Sequence, residues 1–386
     1  MMTERLNIAA PILIALLTIH LLVMYSIRPY GYNLSAMMRL TETEENGQDI
    51  KRYFQKGMVI FSEGGYDGQN YYYVAMDSIF KMDYKNAYRQ QRMLYPLLSK
   101  LLTFGDNSLL PYTMYLVNLA SLALGMYFFI LILRYYSLNP MWSLFYGLSP
   151  PSIMTIQYDL PSPLSIFLII AAVYFYICKG RIYLTVLFFA FAFLTREDSL
   201  LVLLPLLIWD FQKNRSIGRG VVLASSLIPF VLWQFYITFK IGKLPTGVSA
   251  ASTLNPMPFY GVAAYFLTVK IEGIKQLFKI GSVALVFLYF TAVFFIMIKA
   301  LIRGRNLFYY VVGAYCILVL FTVPSQWDNY NGLLRMFYGM FPFLVLSYSY
   351  AKETSLRYAV YFIAVLIFLT GVRILFVSPV YPFTIW

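Results

Sequence analysis

Charge is scarce in this sequence: Asp, Glu, Lys and Arg make up 12% of its 386 residues. Histidine occurs once, as His20, and cysteine twice, as Cys178 and Cys316. All three fall inside apolar runs, so neither a disulfide framework nor a thiolate metal site is indicated, and His20 reads as a packed residue. Any catalysis has to use carboxylates, Tyr, Lys or Arg. The chain also lacks a Walker or dinucleotide glycine pattern, an internal repeat of fixed period and a low-complexity tract. No run of basic residues has the interleaving of a nucleic-acid groove, so the net charge of +13 does not imply a nucleic-acid partner.

What the sequence has in excess is apolar surface, with 60% hydrophobic and 19% aromatic residues and a mean hydropathy of +0.67. No water-soluble fold buries that much, and the chain reads as a multi-pass membrane protein. A bilayer-spanning helix needs about 20 apolar residues. Apolar runs lie at about residues 7–27, 111–133, 142–157, 161–178, 182–194, 199–209, 220–239, 281–301, 307–323, 336–350 and 356–376. They predict an all-α polytopic protein of about 11 transmembrane helices. The first run reads as a span and not as a cleaved signal, because it is long and lacks a small-residue cleavage site.

The runs at 182–194 and 199–209 are each too short to cross a hydrocarbon core of about 30 Å. Thr195-Arg196-Glu197-Asp198 therefore either interrupts one span or forms the tip of a short hairpin. The hairpin places twelve cations on one side of the membrane: Arg5, Arg134, Lys179, Arg181, Lys213, Arg215, Arg219, Lys299, Arg303, Arg305, Lys352 and Arg357. The short loops opposite hold only Arg196, Arg335 and Arg373. A single helix over 182–209 would move eight of the twelve and destroy this bias, so the hairpin is preferred and the cation-rich side is cytoplasmic. The N-terminus is then cytoplasmic and the C-terminus external, as are the long segments 28–110 and 240–280. Of the seventeen acidic residues, only Glu4, Asp210 and Glu353 fall on the cytoplasmic side, which places any chemistry outside, on a periplasmic, extracellular or lumenal face.

The densest polar and aromatic stretch is Phe61–Leu98 in the first external loop. Gly64-Gly65 precedes Tyr66-Asp67-Gly68-Gln69, which predicts Asp67 on a turn or at a helix N-cap. Beyond it, Asn70, Tyr71 and Val74 share one helical face, and Tyr72, Ala75, Met76 and Ile79 form an apolar stripe, the pattern of a helix lying along the membrane interface. Arg89 and Arg92 share a face with Met93 and Pro96, predicting a second interfacial helix. An aromatic belt with snorkelling cations would also give a Tyr-rich, Arg-containing loop.

Tyr66-Asp67-Gly68-Gln69, followed by Tyr88-Arg89-Gln90-Gln91-Arg92-Met93-Leu94-Tyr95-Pro96-Leu97-Leu98 in a long first external loop, resembles the GT-C superfamily of integral-membrane glycosyltransferases. That group includes polyprenyl-phosphate-sugar mannosyltransferases and the lipid A aminoarabinose transferase. The resemblance covers about residues 1–240. It implies a GT-C-like catalytic module over 1–240, including loop 28–110, and variable C-terminal transmembrane helices over 241–386. Its acidic residue in the first external loop maps onto Asp67, although members with a paired acid differ from this chain, where Gly68 follows. The implied activity is inverting transfer of a sugar from a polyprenyl-phosphate donor to a glycan, lipid or protein acceptor, as in cell-envelope glycan synthesis.

In this reading Asp67 is the general base, and Asp159, in a tight turn, is a second catalytic candidate or a helix cap. Arg92, Arg196 and Arg335 are candidates for the phosphate. Tyr66, Tyr71 and Tyr88 would stack on sugar, and Gln69, Arg89 and Glu197 complete the binding set. Arg335 has an interfacial-anchor alternative, and Arg196 and Glu197 at the hairpin tip line a cavity or pair with one another. Segment 240–280 reads as a loop and an interfacial helix, loose surface structure by default, with a mobile cover over the acceptor or lipid site as the alternative. No cofactor is expected; a divalent ion would require Asp67 and Asp159 acting together with substrate phosphate. The rival class is a transporter or lipid flippase binding cargo at the same polar residues, for which paired broken helices in both halves would be expected.

Overall fold

The computed structural model describes residues 2–42, 49–77, 81–270, 273–328, 330–377 and 379–386. Each of the eleven apolar runs is helical, and the chain is an all-α membrane protein with, among the described residues, one short sheet. Among the described residues, five helices are long and apolar enough to cross a membrane: Ile8–Tyr30, Asn107–Tyr135, Ile217–Ile241, Gln276–Arg303 and Thr354–Val377. Ser162–Ile177, Ile182–Thr195, Leu200–Asn214, Leu307–Leu320 and Met340–Ala351 are shorter. The run at 142–157 is broken by Pro150 into Leu144–Gly147 and Pro150–Gln157.

Side-chain contacts fix the direction of the short helices. Ser165 and Ser199 approach with their hydroxyls 3.4 Å apart, and the Tyr176 hydroxyl donates to Asp210, so Ser162–Ile177 and Leu200–Asn214 run parallel. Ile182–Thr195 runs opposite to both, because Thr185 donates to the Ala172 carbonyl at 3.3 Å and Arg196 to Ser162 Oγ at 2.6 Å. The chain therefore reverses at Arg196–Ser199, where Arg196 is extended (φ −157°, ψ 133°) and Glu197–Ser199 forms one 3-10 turn. At 14 and 15 residues, the arms are only about 21 and 22 Å long.

The same logic groups the loops. Tyr136 packs on Phe308 and Tyr350, Tyr310 donates to Gln212 at 3.0 Å, and Arg219 and Arg303 pair with Asp210 and Glu353. Segments with the preferred cations thus meet at one end of the bundle. Loop 28–110, the Arg196 tip and the last residues of the chain meet at the other. Here strand β1 (Val59–Phe61) pairs antiparallel with strand β2 (Phe383–Ile385), with Ile60 opposite Thr384, and Trp386 exchanges backbone hydrogen bonds with Gly57 and Met58. Nothing in the periodicity of the sequence pointed to this sheet.

The first loop departs from the interfacial expectation. Helix Gly68–Met76 buries Gly68 and Asn70 through Ala75, so it has no exposed polar face; Ile79 lies outside the described residues. Its tyrosines form a core in place of a belt: Tyr53, Tyr73 and Tyr84 pack ring on ring at 5.4–6.3 Å. Tyr72 donates to the Tyr53 carbonyl and Tyr84 to Asn70 Oδ1, so these two buried hydroxyls keep partners. The predicted second helix is two, Ala87–Gln90 and Leu94–Leu101.

Candidate functional site

Asp67 occupies the N-cap position of Gly68–Met76, but its side chain makes no capping bond. Its Oδ1 accepts from Arg89 Nη2 at 2.5 Å and its Oδ2 from Arg335 Nη1 at 2.7 Å. Gly68 makes this placement feasible, because a Cβ there would lie 2.3 Å from the Tyr158 carbonyl oxygen and 3.1 Å from Met38 Cα. A second acid after Asp67 has no room. Burial alone would raise the Asp67 carboxyl, yet the guanidiniums of Arg89 and Arg335 outweigh it and hold the group well below the usual carboxylate range.

Two further ion pairs and two tyrosines tie the cluster together. Arg92 grips Glu197 through two bonds, Nε to Oε2 at 2.9 Å and Nη2 to Oε1 at 2.6 Å. Its Nη1 donates to the Tyr71 hydroxyl at 2.8 Å and its Nη2 to the Tyr88 hydroxyl at 2.9 Å. Arg89 and Arg92 lie against the Tyr88 ring at 4.6 and 4.7 Å, cation–π contacts that hold both guanidiniums toward one place. Asn86 caps the short turn by accepting from Arg89 N at 3.2 Å. Arg196 pairs with Asp198 at 2.8 Å and donates to Ser162. Burial would raise the Tyr71 phenol, but Arg92 and Arg89 bring it below its ordinary value.

Asp67, Tyr88, Arg89, Arg92, Arg196, Glu197, Asp198 and Arg335 line one cavity of about 450 Å³, within the range of small-molecule sites. Leu200, Leu201, Leu254, Leu318 and Met336 line its flank, so charged and apolar walls adjoin. The four arginines against three carboxylates leave one net positive charge by formal count.

Four predicted residues are elsewhere. Tyr71 is 1% exposed and sits behind Arg89 and Arg92, so it positions them and cannot stack on a ligand. Gln69 accepts from the Thr41 amide and hydroxyl, both at 3.2 Å, and does not line the cavity. Tyr66 packs on Tyr158 with ring centres 4.4 Å apart and lies 5.6 Å below the Arg335 guanidinium, facing a neighbouring cavity. Asp159 is fully buried in a left-handed turn (φ 48°), with Asn118 donating to its Oδ1 at 3.4 Å. Burial pushes its carboxyl well up. Asp159 lies outside the cavity, so neither a catalytic role there nor a shared ion with Asp67 follows from its position.

Sequence reasoning missed Thr246, Thr253 and Leu254, which line the cavity from segment 240–280. Helix Pro245–Thr253 is part of the site wall and not surface loop. Its composition is unremarkable, and the only available signal was the expected placement of segment 240–280 on the same side as loop 28–110. Arg335 links the site to the C-terminal part of the chain, across the boundary at residue 240. Comparison with known protein families, curated proteins and solved structures finds no match to this chain.

Proposed function

We propose that the protein is an eleven-span membrane glycosyltransferase of the GT-C type, moving a sugar from a polyprenyl-phosphate donor to an acceptor hydroxyl on the external face. The observation that carries this reading is a carboxylate clasped by two arginines in a cavity whose other wall is apolar. A donor with a charged phosphate and a long hydrocarbon chain needs that pairing of surfaces. The acceptor oxygen attacks the anomeric carbon, the bond from that carbon to the phosphate oxygen breaks, and the acceptor proton passes to Asp67. The leaving phosphate carries its charge toward Arg335, Arg89 and Arg196.

A carboxylate held this far below its usual range is a weak base. Arrival of the donor phosphate supplies a competing anion for Arg89 and Arg335, which releases Asp67 from its clasp and restores its basicity. Every charged group of the cavity belongs to one end of the bundle, which suits a one-sided enzyme better than alternating access. The direct assay is incorporation of radiolabelled sugar from a polyprenyl-phosphate donor in membranes containing the protein; absence of transfer from mannosyl and aminoarabinosyl donors alike would count against it.

Arg335→Gln tests the clasp through pH. In the wild type the folded pKa of Asp67 lies below its unfolded value of about 4. The ionised form therefore contributes stability above that pH, and this contribution is lost only as pH falls through the lower folded value. Asp67 gives wild-type kcat/KM no acid limb above about pH 4. Removing Arg335 leaves burial opposed by Arg89 alone, so the carboxyl rises and an acid limb moves into the measurable range. A variant profile that superimposes on the wild type would show that Arg335 does not control Asp67.

Orientation is tested by cysteine labelling in intact cells, with Cys178 and Cys316 replaced. A cysteine at Ser62 is expected to react with an impermeant maleimide and one at Ser216 to react only after permeabilisation. The opposite pattern would place the cavity in the cytoplasm and remove the proposed donor side.

A further inference from the structure

On the far side of Tyr66 and Tyr158 is a second cavity of about 390 Å³, lined by Arg28, Arg39 and Arg373 and, among the described residues, by no carboxylate. The two cavities share no lining residue. Where the Asp67 cavity balances its arginines with acids, this one carries three formal positive charges.

Arg39 is its innermost cation. It is 9% exposed, and its guanidinium lies over the rings of Phe61 at 4.6 Å and Tyr381 at 4.7 Å, with Tyr30 and Tyr158 at 5.7 and 6.0 Å. Aromatic faces stabilise a desolvated cation but accept few of its N–H bonds, and Nη1 of Arg39 is buried without a hydrogen-bond partner. Leaving a charged donor unsatisfied costs more than leaving a neutral one. The chain holds it there regardless: Arg39 adopts a left-handed conformation (φ 57°) at the end of the 3-10 helix Leu34–Met38. Gly64, also left-handed (φ 77°), brings the opposite wall so close that a Cβ would lie 2.7 Å from the Tyr381 ring.

We infer that this cavity is a binding site for a phosphate-class anion, with Arg39 supplying the buried donor and Arg28 and Arg373 the flanking charge. A phosphate accepts from several guanidinium donors at once, which satisfies Arg39. Phe376 and Val380 at the rim are 79% and 63% exposed, a surface suited to the acyl chains of a lipid whose headgroup enters the cavity. The site does not depend on whether Asp67 catalyses sugar transfer.

The test uses full-length protein in detergent, with equilibrium binding of radiolabelled inorganic phosphate and of a short-chain phosphatidic acid, compared with the matching phosphatidylcholine. Arg39→Gln is expected to weaken anion binding by about tenfold or more, and Lys56→Gln, an exposed change in the same loop, to leave it unaltered. Arg28→Glu reverses charge at an exposed position and reports on the site even where Arg39→Gln disturbs folding. Tighter binding of phosphatidic acid than of phosphate identifies a lipid headgroup; equal binding identifies the free anion. Either result supports the site provided that the Arg28 or Arg39 variant weakens binding by about tenfold or more. No anion binding by the wild type, or binding that both variants retain, overturns the proposal.

Discussion

Asp67→Asn is expected to lower sugar transfer by about 100-fold or more at matched amounts of folded protein. Asparagine keeps the shape of the side chain and one acceptor oxygen for Arg89 or Arg335, but it cannot take the acceptor's proton. Three outcomes separate the roles this residue can play. A helix cap would tolerate the change, since Asn caps as well as Asp, and the absence of a side-chain capping bond argues against that role. A counter-ion holding Arg89 and Arg335 in place would lose folded protein or thermal stability in proportion to activity. A general base loses turnover with the fold retained. Asp159→Asn is the comparison: its target is buried outside the cavity, so its effect on transfer should be smaller and should track stability. Near-normal incorporation by the Asp67 variant would take this carboxylate out of the mechanism.

Gly68→Ala is expected to destabilise the protein by about 3 kcal/mol, enough to deplete the folded form in membranes. The new methyl would meet the Tyr158 carbonyl oxygen at 2.3 Å and the backbone of Met38 at 3.1 Å, and neither is the end of a flexible side chain that can swing aside. The joint between loop 28–110 and the turn at 158–161, between helices Pro150–Gln157 and Ser162–Ile177, would have to open, carrying Asp67 away from Arg335. Gly218→Ala is the control, because nothing lies within 4 Å of its added Cβ and it sits in helix Ile217–Ala224, where alanine is favoured over glycine by about 1 kcal/mol. Thermal denaturation of the two variants in detergent gives the comparison. A Gly68→Ala protein as stable as the wild type would mean that the loop and the turn are not in this close contact.

The cavity also explains why this loop is so rich in tyrosine. Tyr71 and Tyr88 each touch two guanidiniums, and Tyr53, Tyr72, Tyr73 and Tyr84 form the core on which helix Gly68–Met76 rests. Phenols suit both tasks, with a ring that packs and a hydroxyl that finds a partner when buried. An aliphatic core would leave the backbone and Asn70 without those donors.

Properties that are local along the chain were readable from the sequence. Helical runs follow from composition and length, the reversal at Arg196–Ser199 from two short arms together with the cation bias that a single helix would destroy, and the grouping of loops from the same cations. Asp67 stood out because a carboxylate beside glycines has no nearby partner. Only tertiary structure decided what that carboxylate meets. Arg335 belongs to a distant segment, and an ion pair between remote residues has no period or spacing in the sequence. The pairing of Phe383–Ile385 with Val59–Phe61, the entry of Thr246 and Leu254 into the cavity wall, and the burial of Tyr71 and Asp159 out of ligand reach have the same origin. Each depends on how helices pack, and packing is set by the shape of all the side chains at once. Gly68 joins the two levels: the sequence displayed a missing side chain, and only the approach of Tyr158 gave the reason for it.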